Sequence, residues 1–225
     1  MSDGPGLEAP ADLLAGHPAT AYFWGQVAAS GEVTDDGIEV VTNDEAAADV
    51  LAAIAGGDVA DLAHGTTTRE YAHDTSTTRT EEEYTVSIDG SDLYGASGPL
   101  GLPVDGRGNY RFSAFSAYKR ELLRGLLEGC GTVCFKSSSA SVGISFVADD
   151  RALLEAIDTL LDSCPIAAPT GEISETSSGG YWFGLEDSAA PGFGTWVYDE
   201  SEETGLFAPS RRRKLQRSLE QAENV

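Results

Sequence analysis

Basic residues are scarce in this 225-residue chain. It has 14 lysines and arginines against 37 aspartates and glutamates, a formal net charge of -23 at pH 7. Because affinity for nucleic acid comes mainly from cations that neutralise phosphates, this balance excludes a strongly basic, non-specific nucleic-acid binder. The acidic residues run along the whole chain among many alanines and glycines, which favours a salt-adapted protein over an ordinary acidic one. In molar salt the screening length falls to about 3 Å, which suppresses the self-repulsion of such a surface.

Cysteines and long apolar runs are also scarce. Cys130, Cys134 and Cys164 are odd in number, and Met1 opens a polar, acidic segment unlike a secretory signal peptide. No apolar run approaches the roughly 20 residues that cross a bilayer. These absences predict a reduced, cytoplasmic protein without membrane contact. The cysteines and histidines have no paired zinc-binding spacing, so the cysteines are expected to be small buried side chains and no metal is assigned.

An internal repeat is the strongest positive signal in the sequence. Trp24–Gly31 and Arg124–Gly131 lie about one hundred residues apart, and in each an apolar run holds two glycines with the same spacing. Ile38–Ile54 then aligns without gaps with Ile144–Leu160, and in both an apolar strand gives way to an acidic helix cap. The pattern predicts a tandem duplication.

Each copy is predicted to run helix, hairpin, helix, hairpin. In the first copy the predicted elements are a helix from Pro18 to Gly31, a hairpin over 32–42, a helix over 44–55 and a hairpin that includes 67–73 and 83–88. In the second copy they are a helix over 115–128, strands over 132–136 and 142–147, a helix over 150–161 and a hairpin over 171–174 and 181–185. The predicted organisation is a disordered N-terminus over 1–12, repeats over 13–98 and 113–205, a turn-rich linker over 99–112, and a basic polar tail over 206–225.

The glycine-bearing helix ends carry a family resemblance. Phe23–Gly31 and Leu123–Gly131 match both glycines and most apolar positions of a nine-residue motif, and the chain resembles the LAGLIDADG homing endonucleases in their single-chain, two-repeat form. The composition is haloarchaeal-like. The resemblance implies an α+β fold of two pseudo-twofold related αββαββ repeats, with antiparallel sheets forming a saddle and the motif helices packed at the centre. It also implies a monomer that contains an internal pseudo-dimer.

The resemblance further implies that the two motif helices meet through small residues. Axes closer than the usual spacing of about 8 to 10 Å need glycine or alanine where the backbones touch. The expected interface residues are Gly25, Ala28, Ala29, Gly31, Gly125, Gly129 and Gly131. The alternative is two ordinary core helices that end at glycine caps.

Active members of the family hold magnesium with an acidic residue at the eighth motif position. Here those positions are Ser30 and Cys130, and neither is a hard anionic ligand. Glu128 lies two residues before Cys130 and is rotated by about 200° around the helix, so it is not expected to replace the missing carboxylate. The sequence therefore predicts no catalytic residue, no productively bound magnesium or other cofactor, and no nuclease activity.

The saddle implied by the resemblance would be the surface that contacts duplex DNA. Candidate contacts are Arg69, Arg79, Lys136, Ser137 and Ser138 on the strands, and Arg211, Arg212, Arg213 and Lys214 in the tail. They are opposed by acidic residues on or beside the same strands, namely Asp35, Asp36, Glu39, Glu81, Glu82 and Glu83. The tail cluster has a second interpretation, a solvated helix end whose cations pair with the acidic body.

Three functions remain open on the sequence. The first is a non-catalytic LAGLIDADG-like protein that binds duplex DNA at high salt or acts as a regulator. The second is an accessory scaffold in a halophile, in which the acidic saddle binds a protein or metabolite partner. The third is a residual endonuclease with an unusual metal site.

Overall fold

The computed structural model of the protein describes residues 7, 9–34, 37–56, 60–71, 74–89, 100, 102 and 110–224, and leaves out the side chains of 60, 67–71, 74–81 and 89. The first repeat contains α1 (Pro18–Ser30), β1 (Gly31–Val33), β2 (Gly37–Thr42), α2 (Glu45–Ala55), β3 (Ala60–Tyr71) and β4 (Asp74–Asp89). The second contains a 3-10 turn (Ser113–Phe115), α3 (Lys119–Cys130), β5 (Gly131–Lys136), β6 (Ser141–Ala148), α4 (Arg151–Asp162), β7 (Ser174–Glu175) and β8 (Tyr181–Gly184). Three further helices follow: α5 (Ala190–Val197), α6 (Ser201–Thr204) and α7 (Pro209–Glu223).

Local signals in the sequence explain where the helices begin and end. Pro18 occupies the first turn of α1, where its missing N–H costs nothing. Asp44 accepts a hydrogen bond from the Ala47 N–H at the start of α2, and Asp150 accepts one from the Ala152 N–H at the start of α4. These are the acidic caps that the repeat predicts.

The two repeats share one sheet topology and one register. The strand orders are β1-β2-β4-β3 and β5-β6-β8-β7, and all neighbouring strands are antiparallel. Gly31 pairs with Val40 in the first hairpin, and Gly131 pairs with Phe146 in the second. The predicted α+β fold of two αββαββ repeats is confirmed, with α1 and α3 in contact between the sheets.

The second hairpins differ most between the repeats. β3 and β4 are 12 and 16 residues long, whereas β7 and β8 have 2 and 4. The ladder extends beyond the predicted segments 67–73 and 83–88, to residues 60–66 before the first and to the threonine-rich residues 74–82 before the second. The two repeats also differ after their last strand, because three helices, α5, α6 and α7, follow β8 in the second repeat.

The segments predicted as a disordered N-terminus, a linker and a polar tail each contribute residues to the core. Most of 1–12 and 99–112 lies outside the described residues, but Leu7 packs against the core and Leu100 is buried. The polar tail forms α7, whose Leu215 is buried against Gly194 of α5. Its apolar positions are few, which is why composition alone indicates a tail. No helix in the described part of the chain is long and apolar enough to cross a membrane.

Candidate functional site at the centre of the two repeats

The motif helices α1 and α3 touch through Gly25 and Gly125. A Cβ added at Gly25 would lie 2.4 Å from the Leu122 carbonyl oxygen, and one added at Gly125 would lie 2.3 Å from the Tyr22 carbonyl oxygen. A Cβ cannot approach a backbone oxygen so closely, so this helix separation requires glycine at both positions. Because the two glycines hold equivalent positions in the repeats, the contact is symmetric.

Towards the C-terminal ends of the helices, the seam continues through Gly129 and Ala29. A Cβ on Gly129 would lie 2.5 Å from the Ala29 Cβ and 3.3 Å from the Ser30 Oγ. Ala28 and Ala29 are both partly buried against the core. The small residues of the seam therefore bring the two eighth motif positions to the same end of the helix pair.

Gly31 and Gly131 have a different role from the interface expected of them. A Cβ on Gly31 would lie 2.7 Å from the Val27 carbonyl oxygen, and one on Gly131 would lie 2.4 Å from the Leu127 carbonyl oxygen. These oxygens belong to the last turn of the same helix. Both glycines thus permit the chain to leave a motif helix directly into β1 or β5.

The side chains at the eighth motif positions hydrogen-bond to their own helices. The Ser30 Oγ donates to the Gln26 carbonyl oxygen at 3.2 Å, and the Cys130 Sγ donates to the Leu126 carbonyl oxygen at 3.4 Å. Burial raises the pKa of the Cys130 thiol to about 12, so it is uncharged at neutral pH. A neutral hydroxyl and a neutral thiol do not fit magnesium, which binds carboxylate oxygens. Among the residues that the structure describes, no three histidine, cysteine, aspartate or glutamate side chains are grouped to hold a metal.

Glu128 lies inside the seam and is fully engaged there. Its Oε2 accepts from the Tyr22 hydroxyl at 2.7 Å and from the Gln26 Nε2 at 3.1 Å, both on α1, and its Oε1 accepts from the Ala208 N–H at 2.9 Å. Burial raises the pKa of this carboxyl to about 7. Glu128 therefore joins α1 and α3 to the chain that enters α7, and its oxygens point to these donors instead of a metal.

Helix α7 begins at a point held by both repeats. The Ser210 N–H donates to the Asp44 Oδ2 at 2.7 Å, while the Ala208 N–H donates to Glu128. Asp44 also caps α2 through its other oxygen, so one carboxylate of the first repeat serves two helix N-termini. The contacts fix α7, which packs on the second sheet, to the first repeat as well.

Arg124 anchors the segment between α5 and α7. It is fully buried on α3, and its guanidinium donates to the carbonyl oxygens of Val197 at 2.7 Å, Leu206 at 2.9 Å and Asp199 at 3.1 Å. Burial lowers the pKa of this guanidinium, and nearby Glu121 and Glu128 oppose the shift. The second motif position of the second copy thus has a structural role.

Most candidate nucleic-acid contacts on the strands are occupied or outside the described side chains. Lys136 donates to the Asp187 Oδ1 at 2.6 Å, and this bond lowers the pKa of Asp187. Ser137 and Ser138 are exposed in the turn between β5 and β6. Arg69 and Arg79 are Cα partners in the β3–β4 ladder, and their side chains are not among those described; Glu81, Asp35 and Asp36 are likewise outside the description.

Two of the four candidate cations at the start of α7 lie against the protein body. Arg211 donates to the Gly131 carbonyl oxygen at 3.4 Å. Arg212 pairs with Glu202 and lies over the Phe207 ring at 5.4 Å. Arg213 and Lys214 are exposed. The cluster thus faces two ways, with Arg211 and Arg212 holding α7 in place.

The outer face of each sheet, on the side away from the motif helices, can be compared row by row. Across the first sheet, cross-strand pairing puts Glu32, Glu39, Ser87 and Asp61 in one row. The equivalent row of the second sheet is Thr132, Ser145 and Gly184. One row further along β6, Val147 and Trp182 are partners and each is 44% exposed. This row is therefore acidic in the first sheet and uncharged at Thr132, Ser145 and Gly184 in the second, where an exposed apolar pair lies beside it.

Sequence reasoning misses two groups of residues that define this centre and its faces. The Tyr22, Gln26 and Glu128 cluster could have been found from the motif helices, since all three are polar positions on otherwise apolar stretches. Val147 and Trp182 could have been found from the two-residue alternation of β6 and β8, which places them opposite the buried Phe146 and Phe183. Cys134 is exposed on the second outer face, so the expectation that the cysteines are buried is wrong for it.

A LAGLIDADG family described as "Putative archaeal homing endonuclease" matches residues 1–225. No curated protein sequence is significantly similar to the chain.

Three solved structures illustrate the shared fold. Full-length DUF199/WhiA from Thermotoga maritima has a TM-score of 0.55 and 10% identity; the alignment covers 97% of this chain and 63% of that one, so this chain spans less than two thirds of it. The N-terminal LAGLIDADG domain of DUF199/WhiA has a TM-score of 0.50 and 13% identity, with 84% of each chain covered. The homing endonuclease I-WcaI, bound to its DNA recognition sequence, has a TM-score of 0.55 and 6% identity, with 89% and 87% covered. At these identities the likeness shows the fold alone.

Proposed function

We propose that this chain, which belongs to the LAGLIDADG homing endonuclease family, binds duplex DNA without cleaving it. The proposed loss of cleavage is supported by the side chains at the two eighth motif positions. Ser30 and Cys130 are uncharged and hydrogen-bond to their own helices. Two-metal phosphodiester cleavage needs anionic oxygen ligands to hold the cations that activate water and stabilise the leaving oxygen. The nearest carboxylate in the motif, Glu128, is committed to other donors.

DNA binding is supported by the family and by the second sheet. I-WcaI, which shares the fold, is bound to its DNA recognition sequence in its structure. In this chain the outer face of β5, β6 and β8 is open, with exposed Thr132, Val147 and Trp182. The Asp187 carboxylate beside this face is already paired with Lys136. Such a face can present hydroxyl and apolar groups to base edges.

A binding and cleavage assay tests both parts of the proposal. Labelled duplexes from a randomised pool are incubated with the protein in molar potassium chloride, with and without Mg²⁺ or Mn²⁺. We expect retention of duplex in every condition and no cleaved product. Metal-dependent cleavage would overturn the non-catalytic assignment and favour a residual endonuclease, whereas a lack of retention would overturn DNA binding.

A protein-binding scaffold is the second candidate, and one observation favours it. Glu32, Glu39 and Asp61 are exposed in a single row of the first outer face, and none of them forms an ion pair with a residue that the structure describes. A cationic protein surface would complement that row better than DNA does. Failure of the duplex assay together with saturable binding of a basic peptide to this face would support this candidate.

We also propose that the protein works as a monomer in the cytoplasm of a salt-adapted cell. Its net charge of -23 favours folding where salt screens repulsion between carboxylates. The pairing of α1 and α3 supplies within one chain the twofold contact that a dimer would otherwise provide. Circular dichroism during dialysis from molar to millimolar potassium chloride tests the salt dependence, and full retention of structure at low salt would contradict it.

A further inference from the structure

We infer that this protein contacts DNA with one side only: the outer face of the second sheet enters the groove, and the outer face of the first sheet is kept out of it. The inference rests on the proposed DNA binding and specifies which half carries it. Both faces have the same strand order, so each position on one face has a counterpart on the other. Because the backbone arrangement is shared, counterpart positions differ only in their side chains.

One row of the first outer face repels phosphate. Glu32 and Glu39 are directly opposite each other on β1 and β2, and the same row continues to Asp61 on β3. Directly paired residues of an antiparallel sheet have Cβ atoms about 4.5 to 5.5 Å apart, so two carboxylates there already repel each other. A phosphate backbone laid along this row would add a third negative partner at short range. This row therefore disfavours the approach of a duplex.

The second outer face lacks the charges of Glu32 and Glu39 at the two equivalent positions of the row. Thr132 replaces Glu32, Ser145 replaces Glu39, and Gly184 follows Ser145 across the sheet. Hydroxyl groups can donate to or accept from base edges and phosphates. The second face therefore offers neutral hydrogen-bonding groups where the first offers carboxylates.

An exposed apolar pair gives the second face its contact with the bases. Val147 and Trp182 are cross-strand partners, and each is 44% exposed although it could bury apolar surface. Their counterparts on the first face are Val41, which is 36% exposed, and Thr85. Apolar side chains contact thymine methyl groups in the major groove, and such contacts keep their strength when salt screens charges. We therefore assign this face to the groove of the duplex.

Lys136 does not make the face strongly cationic, because Asp187 holds its ammonium and also accepts from the Ser141 hydroxyl at 2.7 Å. A Cβ on Gly143 would lie 2.5 Å from the Lys136 Cε, so the lysine stem lies flat across β6 to reach Asp187. With few free cations to release counterions, the binding constant should fall only weakly as salt rises. This is the opposite of the steep salt dependence of a basic DNA-binding protein.

Matched substitutions on the two faces test the inference. Duplexes selected from a randomised pool by the full-length protein in molar potassium chloride are titrated with Trp182→Ala and Val147→Ala, and with the counterparts Thr85→Ala and Val41→Ala. We expect Trp182→Ala to weaken binding by about tenfold or more, and the two first-face variants to stay within about twofold of the parent. Circular dichroism of each variant confirms that it is folded.

A variant that should gain a DNA contact tests the inference without relying on weakened binding. The triple variant Glu32→Gln, Glu39→Gln, Asp61→Asn neutralises the acidic row of the first face, and we expect it to extend the hydroxyl-radical footprint towards a second half-site. Equal weakening by first-face and second-face variants, or a parent footprint that already spans two half-sites, would overturn one-sided contact while leaving DNA binding intact. If the parent protein retains no duplex, the proposed function and this inference fall together.

Discussion

The substitution Gly125→Ala tests the helix seam on which the whole arrangement depends. The new Cβ would lie 2.3 Å from the Tyr22 carbonyl oxygen and 3.1 Å from the Gly25 Cα, whereas ordinary contact begins at 3.4 Å. The obstacle is backbone on the facing helix, so no side-chain rotation can relieve it. The helices must separate by about 1 Å, and every contact along the seam then loosens.

The expected cost follows from two opposing effects. Overpacking of a well-packed core costs about 1 to 3 kcal/mol, and a backbone obstacle belongs at the upper end. Replacing glycine by alanine inside a helix returns about 1 kcal/mol. We therefore expect Gly125→Ala to lower the free energy of unfolding by about 2 kcal/mol.

Denaturant titration in molar potassium chloride measures this change, with circular dichroism reporting the transition. Gly192→Ala in α5 is the matched control, because a Cβ there meets no heavy atom within 4 Å. It should stabilise the protein by about 0.5 to 1 kcal/mol through helix propensity alone. If Gly125→Ala behaves like Gly192→Ala, the helices are not in backbone contact and the central seam is wrong.

Three further predictions concern the polar residues of the centre. Burial raises the pKa of Glu128 from 4.5 to about 7, so the folded state binds the Glu128 proton more tightly than the unfolded state does. The free energy of unfolding should therefore fall as pH rises from 4.5 to about 7, and Glu128→Gln should reduce this fall when denaturation is measured across that pH range. Arg124→Lys cannot reach three carbonyl oxygens and should cost about 3 kcal/mol in the same denaturant assay, whereas exposed Arg217→Lys should be neutral within about 0.5 kcal/mol. The double variant Ser30→Asp, Cys130→Asp should bind Mn²⁺ in a paramagnetic-resonance titration, with Ser30→Asn, Cys130→Asn as control; equal Mn²⁺ binding by the parent protein would contradict the assignment of Ser30 and Cys130.

The sequence predicts the duplicated frame because its signals are local and strong. Glycine spacing at 25, 31, 125 and 131, the acidic caps Asp44 and Asp150, and strand alternation each depend on residues close together in the chain. Such signals fix helix starts and hairpins without knowledge of the partner surface. The resemblance to the family then supplies the pairing of the two motif helices, which local pattern cannot.

What the sequence misses depends on contacts between distant residues. Helix α7 is amphipathic only weakly, and its place becomes clear only when Ser210 is seen to meet Asp44 and Ala208 to meet Glu128. Lys136 reads as a free cation in the sequence, yet Asp187, 51 residues away, neutralises it. Long-range hydrogen bonds of this kind depend on tertiary packing, and hydrophobic periodicity in the sequence does not predict them.

The contrast between the seam and the outer faces indicates which features of this chain follow from folding and which from binding. Substitution at Gly25 or Gly125 is blocked by backbone at 2.4 Å and 2.3 Å, so the two copies remain alike there for steric reasons. No packing demand applies to the exposed position of Glu39, whose counterpart is Ser145. Opposed carboxylates such as Glu32 and Glu39 even weaken the sheet that carries them. A charge pattern that costs stability on one copy and is missing from the other therefore does not follow from the fold they share, and the one-sided DNA contact that we propose would account for it.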